Sequence, residues 1–480
     1  MNGKDILALG FPQGPVIGEI LSLVKSRAVA PEVLKDDLKR LQSAPQEFLG
    51  HPVYGGIALR LAGPEKYEFR SAMEADRLVK VWGCEGIDSA TLDQMRTAMQ
   101  LPITAGGAIM PDAHVGYGLP IGGVLATDGA VIPYAVGMDI ACRMRLSVLP
   151  IPADRGKHPT LDKKQDKFCR IIEESTRFGI GVGYEREERK QHSVMDADWS
   201  ITEITKALKD VAWQQLGTSG SGNHFCDLGE IEFEKNFVRD GVVVVPAGCY
   251  VAILTHSGSR GPGSKVASYY SSLAIEKRNL PQSYRQLSWL NMNEEGEEYW
   301  AAMELMGRFA AANHEIIHRE VCTRLGLEPL TVVENHHNYA WREKPGGRYG
   351  DKEVIVHRKG ATPAMPGVFG VIPGTMASPA YLVEGTAGPL DVKVDSLWSA
   401  SHGAGRAMSR KKTKEKFHWS EVNGLLRERR VHLMSAGLDE VPGGYKKIEK
   451  VMEAQKELVD IKAVFYPRIV KMSGEDTSED

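Results

Sequence analysis

Side chains able to ligate a metal recur in small clusters from residue 139 to residue 402: Asp139 with Cys142, Asn223-His224, His256, His336-His337 and His402. Most lie in or beside glycine-rich segments. Glycine lets backbone approach a ligand or another strand closely, so these read as shaped loops. The last cluster, Ser399-Ala-Ser-His402-Gly-Ala-Gly-Arg406, sets a histidine against a glycine turn that ends in arginine, a side chain that grips phosphate in a planar fork. For these groups to act together, the fold must bring distant segments to one point.

Composition supports shaped loops. Glycine makes up 50 of 480 residues, above the roughly 7% average, and it concentrates in the motifs rather than in low-complexity runs. A chain this long buries a large core. The net charge of -3 offers no global basic field for coating nucleic acid, although a local groove could still be basic. The cysteines at 84, 142, 169, 226, 249 and 322 are scattered and include no C-x-x-C pair. That pattern argues for a reducing compartment, with the cytoplasm expected, and against a disulfide scaffold or zinc ribbon. No apolar run approaches the roughly 18 residues of a membrane span.

Residues 1–100 carry no cluster of catalytic type and read as an appended helical or mixed region. Pro31 starts a helix with Val33, Leu34, Leu38 and Leu41 on one face, and Lys66–Lys80 looks similar. From Ile103 the texture changes to short β-type runs separated by glycine and proline. These include Gly122–Thr127, Ala130–Pro133, Arg145–Leu149, Val242–Val245, Tyr250–Leu254, Glu353–His357, Gly370–Ile372 and Leu382–Val383. Glu298–Arg324 is a long helical stretch, and Tyr445–Phe465 reads as a final amphipathic helix. Lys411-Lys412-Thr-Lys414 reads as a solvated face, and residues 473–480 as an acidic disordered tail. Strands and helices are interspersed without a regular βα period, which indicates an α+β fold with the catalytic domain over 101–472.

Each cluster has a chemical and a structural reading. Asp139 and Cys142, three apart, could share one divalent cation, or serve as a helix cap and a small buried thiol. The glycine run before Asn223-His224 could cradle phosphate or form a turn. Arg260, in the polar loop after His256, is a plausible phosphate contact. The adjacent His336 and His337 point to opposite sides of an extended segment, and spacing alone does not choose between them. His314-Glu-Ile-Ile-His318 is a formal HExxH pattern, the signature of a zinc peptidase. It lacks the downstream glycine and third histidine of the metzincins and sits in a largely apolar helix.

Taken in order, the segments resemble the RtcB family of RNA-splicing ligases. The matching stretches are Met110-Pro-Asp112-Ala-His114, Gly137-Met-Asp139-Ile-Ala-Cys142, Gly222-Asn-His-Phe225, His256-Ser-Gly-Ser-Arg260, His336-His-Asn338 and Val356-His-Arg358-Lys359-Gly. Ile372-Pro373-Gly374-Thr375-Met376, Ser401-His402-Gly403-Ala404-Gly405-Arg406, Met408-Ser-Arg410 and Asp439-Glu-Val-Pro442 complete the series. The likeness runs from about residue 100 to about residue 472, nearly four fifths of the chain.

The resemblance implies central β-sheets flanked by helices around a metal-lined cleft. It also implies a GTP- and Mn²⁺-dependent enzyme joining RNA 3′-phosphate or 2′,3′-cyclic phosphate ends to 5′-hydroxyl ends. His402 would take GMP from GTP. Asp139, Cys142, His224, His256 and His337 would bind two Mn²⁺ ions, His337 being chosen because the family ligand directly precedes the asparagine. GTP would be held by Asn223, His224, Phe225, Asp227, His337, Asn338, Pro373–Met376, Ala380, His402–Arg406, Tyr445 and Lys471. Asp112, Arg260, Arg358, Lys359 and Arg410 would contact phosphate or RNA. An archease-like activating protein is an expected partner. The runner-up from the same fold is a cyclic phosphodiesterase that does not ligate.

The chain departs from the family pattern at several positions. Tyr117 stands in place of lysine, Ala141-Cys142-Arg143 in place of Gly-Cys-Gly, Asp227 in place of a guanine-binding glutamate, Ala380 in place of serine, and Thr362-Pro363 in place of Thr-Arg. The metal and nucleophile set is intact, so GMP transfer is expected to survive, with guanine selectivity and RNA-end preference the properties most exposed to change.

Overall fold

Runs of β-branched and apolar residues bounded by glycine become strands, because branched side chains pack well on a pleated surface. In a computed structural model describing residues 1–26, 29–62, 67–154 and 161–474, they form two main sheets. The larger runs in spatial order Thr331–His336, Arg143–Pro152, Gly248–Ser257, Phe225–Phe233, Val459–Met472, Ala380–Gly385 and Phe369–Ile372. Every pairing along this path is antiparallel. The sheet curls until its end strands meet: Asn335 Oδ1 accepts the Val371 N–H at 2.8 Å.

The smaller sheet runs Val79–Val81, Thr104–His114, Ile121–Thr127, Val354–Lys359 and Asn338–Glu343. Val79–Val81 pairs in parallel with Gly107–Ile109, so this sheet draws on residues before 101. The N-terminal helices Gly3–Ala8, Pro15–Ser26, Pro31–Ser43 and Gly55–Ala62 close around a core of their own that includes Ile6, Ile20, Leu38, Leu41 and Phe48. Leu34 joins that core, whereas Val33 is half exposed, because one helical residue rotates the side chain by about 100°. Lys411, Lys412 and Lys414 are exposed, as the charge run suggested.

Glu297–Leu325 is the longest helix, and it buries Tyr299, Met303, Met306, Phe309 and Ile316. No helix among the described residues is long and apolar enough to cross a membrane.

Two expected helices are different. Tyr445–Phe465 holds only a short helix, Ile448–Glu453, followed by the strand Val459–Met472. That strand pairs on both sides, with Phe225–Phe233 and with Ala380–Gly385. Its Val459, Ala463 and Phe465 are buried. Pro467, which cannot donate to a ladder, sits where the register shifts. Among the described residues of the Lys66–Lys80 stretch, which exclude Lys66, only Ala72–Asp76 is helical, started by a Ser71/Glu74 capping box, and the chain then becomes the Val79–Val81 strand. The acidic residues 475–480 lie outside the described residues.

Candidate active site

The antiparallel order of the larger sheet explains how the ligand clusters meet. Cys142 precedes the Arg143–Pro152 strand and His224 precedes Phe225–Phe233, whereas His256 nearly ends Gly248–Ser257 and His337 follows Thr331–His336. In antiparallel neighbours the start of one strand lies beside the end of the next. The register confirms it, pairing His256 with Met144 and Phe225, and His336 with Arg143. The four side chains therefore gather at one end of the sheet.

Their donor atoms face one another. Cys142 Sγ lies 3.1 Å from His256 Nε2 and 3.4 Å from His224 Nε2. His256 Nε2 is 3.3 Å from His337 Nε2, and Asp139 Oδ2 is 3.1 Å from His224 Nε2. The His256 Nδ1–H donates to the Asn223 carbonyl at 3.1 Å, which leaves the Nε2 lone pair turned into the cluster. Asp139 caps no helix; its Oδ1 accepts the Ser259 N–H at 3.0 Å. The backbone at Gly258 approaches so closely that an added Cβ would lie 2.1 Å from the Asp139 carboxylate.

The electrostatics suit a divalent cation. Burial lowers His256 to about 3 and holds His337 well below the usual imidazole range, so both imidazoles are neutral. Burial pushes the Asp139 carboxyl up, but hydrogen bonding from His224, with the Arg260 charge nearby, outweighs it and leaves Asp139 ionised with a pKa of about 2. Burial and the Asp139 charge raise the Cys142 thiol well above its ordinary value, a proton that a bound cation would displace. His337 Nδ1 is buried without a hydrogen bond among the described residues. A carboxylate, a thiol and three imidazoles with unspent donors fit a metal centre.

His402 follows the Ser399–Ser401 strand and sits beside this cluster, with its ring centroid 4.8 Å from that of His337. Asp112 is completely buried, and its Oδ2 accepts from His402 Nδ1 at 2.7 Å and from the His402 N–H at 3.1 Å. A carboxylate only accepts, so Nδ1 carries a proton, and in the neutral ring the Nε2 lone pair is free. Gly405 has φ +71° and is packed so tightly that a Cβ would lie 1.9 Å from the Asp112 carbonyl oxygen.

A cavity of about 280 Å³ opens over these groups. It is lined by Asn223, Phe225, Asp227, His256, His337, Pro373–Met376, Ala380, His402–Arg406, Arg410 and Tyr445, nearly the whole nucleotide set expected from the motifs. His224 belongs to the metal-donor cluster instead. Asp227 is buried in the cavity wall with its Oδ1 unpartnered, and burial raises its carboxyl well above the usual range.

Several expected contacts are directed elsewhere. Asn338 is a backbone clamp, accepting from the Gly360 N–H and donating to the Asp139 carbonyl. Lys471 alternates out of the wall formed by Val470 and Met472 and pairs with Glu173 at 2.5 Å. Arg358 is fully buried in a bidentate pair with Glu343, at 2.7 and 2.9 Å, so it cannot meet RNA. Lys359 is buried too, donating to the Tyr117 and Tyr134 carbonyls. Asp112 serves His402 rather than a phosphate. Arg260 donates to His224 Nδ1 at 3.1 Å. Arg406 spends its fork inward on the Asp439 and Met408 carbonyls, Thr413 and Tyr445.

His336, the alternative to His337, stacks on Trp341 at 5.1 Å, away from the donor atoms. The HExxH residues do not share a metal point. His314 and His318 are hydrogen-bonded inside the core, while Glu315 accepts from His192 at 2.8 Å. The peptidase reading therefore has no site. His114, Ser378 and Glu440 line the cavity although no sequence argument gave them a role; His114 lies two residues beyond Asp112 and so shares its strand face.

Comparison with known proteins agrees with the motif order. The family model described as tRNA-splicing ligase RtcB matches residues 94–472. The chain is 30% identical over 384 residues to the RNA-splicing ligase RtcB of Escherichia coli (strain K12), covering 74% of this chain and 86% of that protein. It is 31% identical over 431 residues to the tRNA-splicing ligase RtcB of Nanoarchaeum equitans, covering 77% and 88% respectively. With a single family model spanning most of its length and the metal-donor and His402 segments intact inside it, this chain belongs to the RtcB family.

Proposed function

We propose that this protein is an RNA ligase that uses GTP and Mn²⁺ to join a 3′-phosphate or 2′,3′-cyclic phosphate end to a 5′-hydroxyl end. The observation that carries this reading is the free Nε2 of His402. It is presented to a nucleotide-sized cavity beside the metal donors, and Asp112 holds the proton on the opposite nitrogen.

A phosphate end is a poor electrophile and needs an activating group. In the first step the Nε2 lone pair attacks the α-phosphorus of GTP, a P–N bond forms and pyrophosphate leaves; Asp112 stabilises the positive ring. An oxygen of the RNA 3′-phosphate then attacks the same phosphorus, which breaks the P–N bond, restores His402 and gives RNA(3′)pp(5′)G. In the last step the 5′-hydroxyl attacks the 3′-phosphorus, GMP leaves and the hydroxyl proton is lost to water. A cyclic phosphate must first be opened by water to the 3′-phosphate.

Asp139, Cys142, His224, His256 and His337 would hold two Mn²⁺ ions, whose charge would neutralise the phosphates and stabilise the transferring group. Asn223 would approach the phosphates. Asp227 would accept a base N–H through its unpartnered oxygen, with Phe225 and Tyr445 beside the ring. An archease-like activator and a cytoplasmic setting accompany this reading.

The test is ligation itself. RNAs labelled at a 3′-phosphate or at a 2′,3′-cyclic phosphate are each incubated with a 5′-hydroxyl RNA, GTP and Mn²⁺. A joined product is expected that disappears in His402→Ala. Opening of a cyclic phosphate without joining would favour the phosphodiesterase reading instead.

A further inference from the structure

The HExxH segment that supplies no peptidase site does something else. Asn313, His314 and His318 are polar residues on the otherwise largely apolar buried face of the Glu297–Leu325 helix, and their partners lie in the segments that carry the metal donors. The direction of each hydrogen bond follows from one fact. His314 Nε2 lies 3.1 Å from the Ser257 carbonyl, which can only accept, so that nitrogen carries the proton. His314 Nδ1 therefore accepts from the Thr255 hydroxyl at 2.6 Å. Its proton spent, Thr255 accepts from His318 Nε2–H at 2.8 Å. His318 Nδ1 in turn accepts from the Ser147 hydroxyl at 2.7 Å. The chain Ser147, His318, Thr255, His314, Ser257 is complete and one-directional, with both imidazoles neutral.

Thr255 and Ser257 flank His256, and strand alternation sends them to the face opposite the ligand. Asn313 extends the grip: its Nδ2 donates to the Gly258 carbonyl at 3.0 Å and its Oδ1 accepts the Gly217 N–H at 2.8 Å. Gly258 is the residue pressed against the Asp139 carboxylate, and Ser259 donates to Asp139. Gly217 opens the loop that ends in Asn223-His224. One helix thus holds the backbones that carry His256, face Asp139 and lead to His224.

We propose that Asn313, His314 and His318 are positioning residues that set the spacing of the metal donors, acting through Thr255, Ser257, Gly258 and Gly217. This rests on the proposed metal site. A purely apolar helix face would pack against the strand with freedom to slide; a satisfied polar chain admits one register. Second partners of metal ligands typically tune affinity by roughly 10–100-fold.

The test uses Co²⁺ in place of Mn²⁺, because a cysteine thiolate bound to Co²⁺ gives a charge-transfer absorption that reports the site without any turnover. Thr255→Val removes the hydroxyl linking both imidazoles, and Thr255→Ser keeps it. The expected result is a folded Thr255→Val protein by circular dichroism, with Co²⁺ affinity lowered at least about tenfold and a shifted band, both restored in Thr255→Ser. A Thr255→Val protein with only a lower melting temperature and wild-type band and affinity would overturn the proposal. If Thr255→Val does not fold, Ser147→Ala, which removes only the terminal donor, takes its place: weakened Co²⁺ binding with a shifted band supports the positioning role, and wild-type affinity and band overturn it. A wild-type protein with no thiolate band would overturn the metal site itself, a failure distinct from that of the positioning role.

Discussion

Asp112 and His402 are 290 residues apart in the chain and are joined by a 2.7 Å hydrogen bond between a fully buried carboxylate and a ring nitrogen. Burial pushes the Asp112 carboxyl up, but the hydrogen bond from His402 and the neighbouring imidazoles more than offset it, so the group stays ionised. It is therefore a fixed acceptor that decides which imidazole nitrogen is free. Asp112→Asn keeps the shape but offers an amide N–H to Nδ1, favouring the proton on Nε2. GMP transfer to His402 is expected to slow by roughly 10²–10⁴-fold, with GTP binding little changed, as measured by single-turnover labelling and equilibrium binding.

Asp227 lies in the cavity wall. Its buried Oδ1 has no partner among the described residues. Such an atom costs free energy until a ligand donor reaches it. Asp227→Ala is expected to weaken GTP binding by roughly tenfold or more. An unchanged Kd by calorimetry would show that the base does not use this oxygen.

Arg358 separates a structural from an RNA-binding role. It is buried against Glu343, Ser399 and Trp341. Arg358→Met leaves the Glu343 carboxylate without its buried partner, and breaking such a pair costs about 3–5 kcal/mol. Denaturant unfolding should show that loss, whereas an RNA contact would leave stability intact and weaken RNA binding.

Stability should fall in acid. Burial lowers His357 to about 4, and His314 and His318 lie well below the ordinary imidazole value. Unfolded, each titrates near 6.5, so between about pH 6.5 and 4 the unfolded chain binds protons that the native state cannot. The histidine contribution is at full strength above pH 6.5 and declines as pH drops toward 4. Thermal midpoints of the metal-free protein between pH 7.5 and 4.5 would check the sign.

Of the strands beside the donor cluster, Arg143–Pro152 and Gly248–Ser257 were legible as Arg145–Leu149 and Tyr250–Leu254, whereas Phe225–Phe233 and Thr331–His336 were missed because Asp227, Glu230, Glu232 and Glu334 interrupt their apolar runs. The choice of His337 over His336 came from the family resemblance, in which the ligand directly precedes the asparagine. The closing strand was not legible either. Ile448, Met452 and Val459 suit a helical period, and only pairing on both flanks makes Val459–Met472 a strand. That strand assignment is also why Lys471 turns out of the cavity: residues on a strand alternate faces, and Val470 and Met472 take the inner one. The fates of Arg358 and Arg406 depended on Glu343, Asp439 and Tyr445, partners that only the folded chain brings within reach. Sequence spacing has no term for such pairing.

The central claim is that His402 is the group that takes the nucleotide. Incubation with GTP labelled at the α-phosphate and Mn²⁺, followed by denaturation, tests it most directly. The account predicts protein-bound label that is stable in alkali, released by mild acid, and absent from His402→Ala. Label retained in His402→Ala, or no acid-labile adduct in the wild-type protein under any divalent ion, would contradict it.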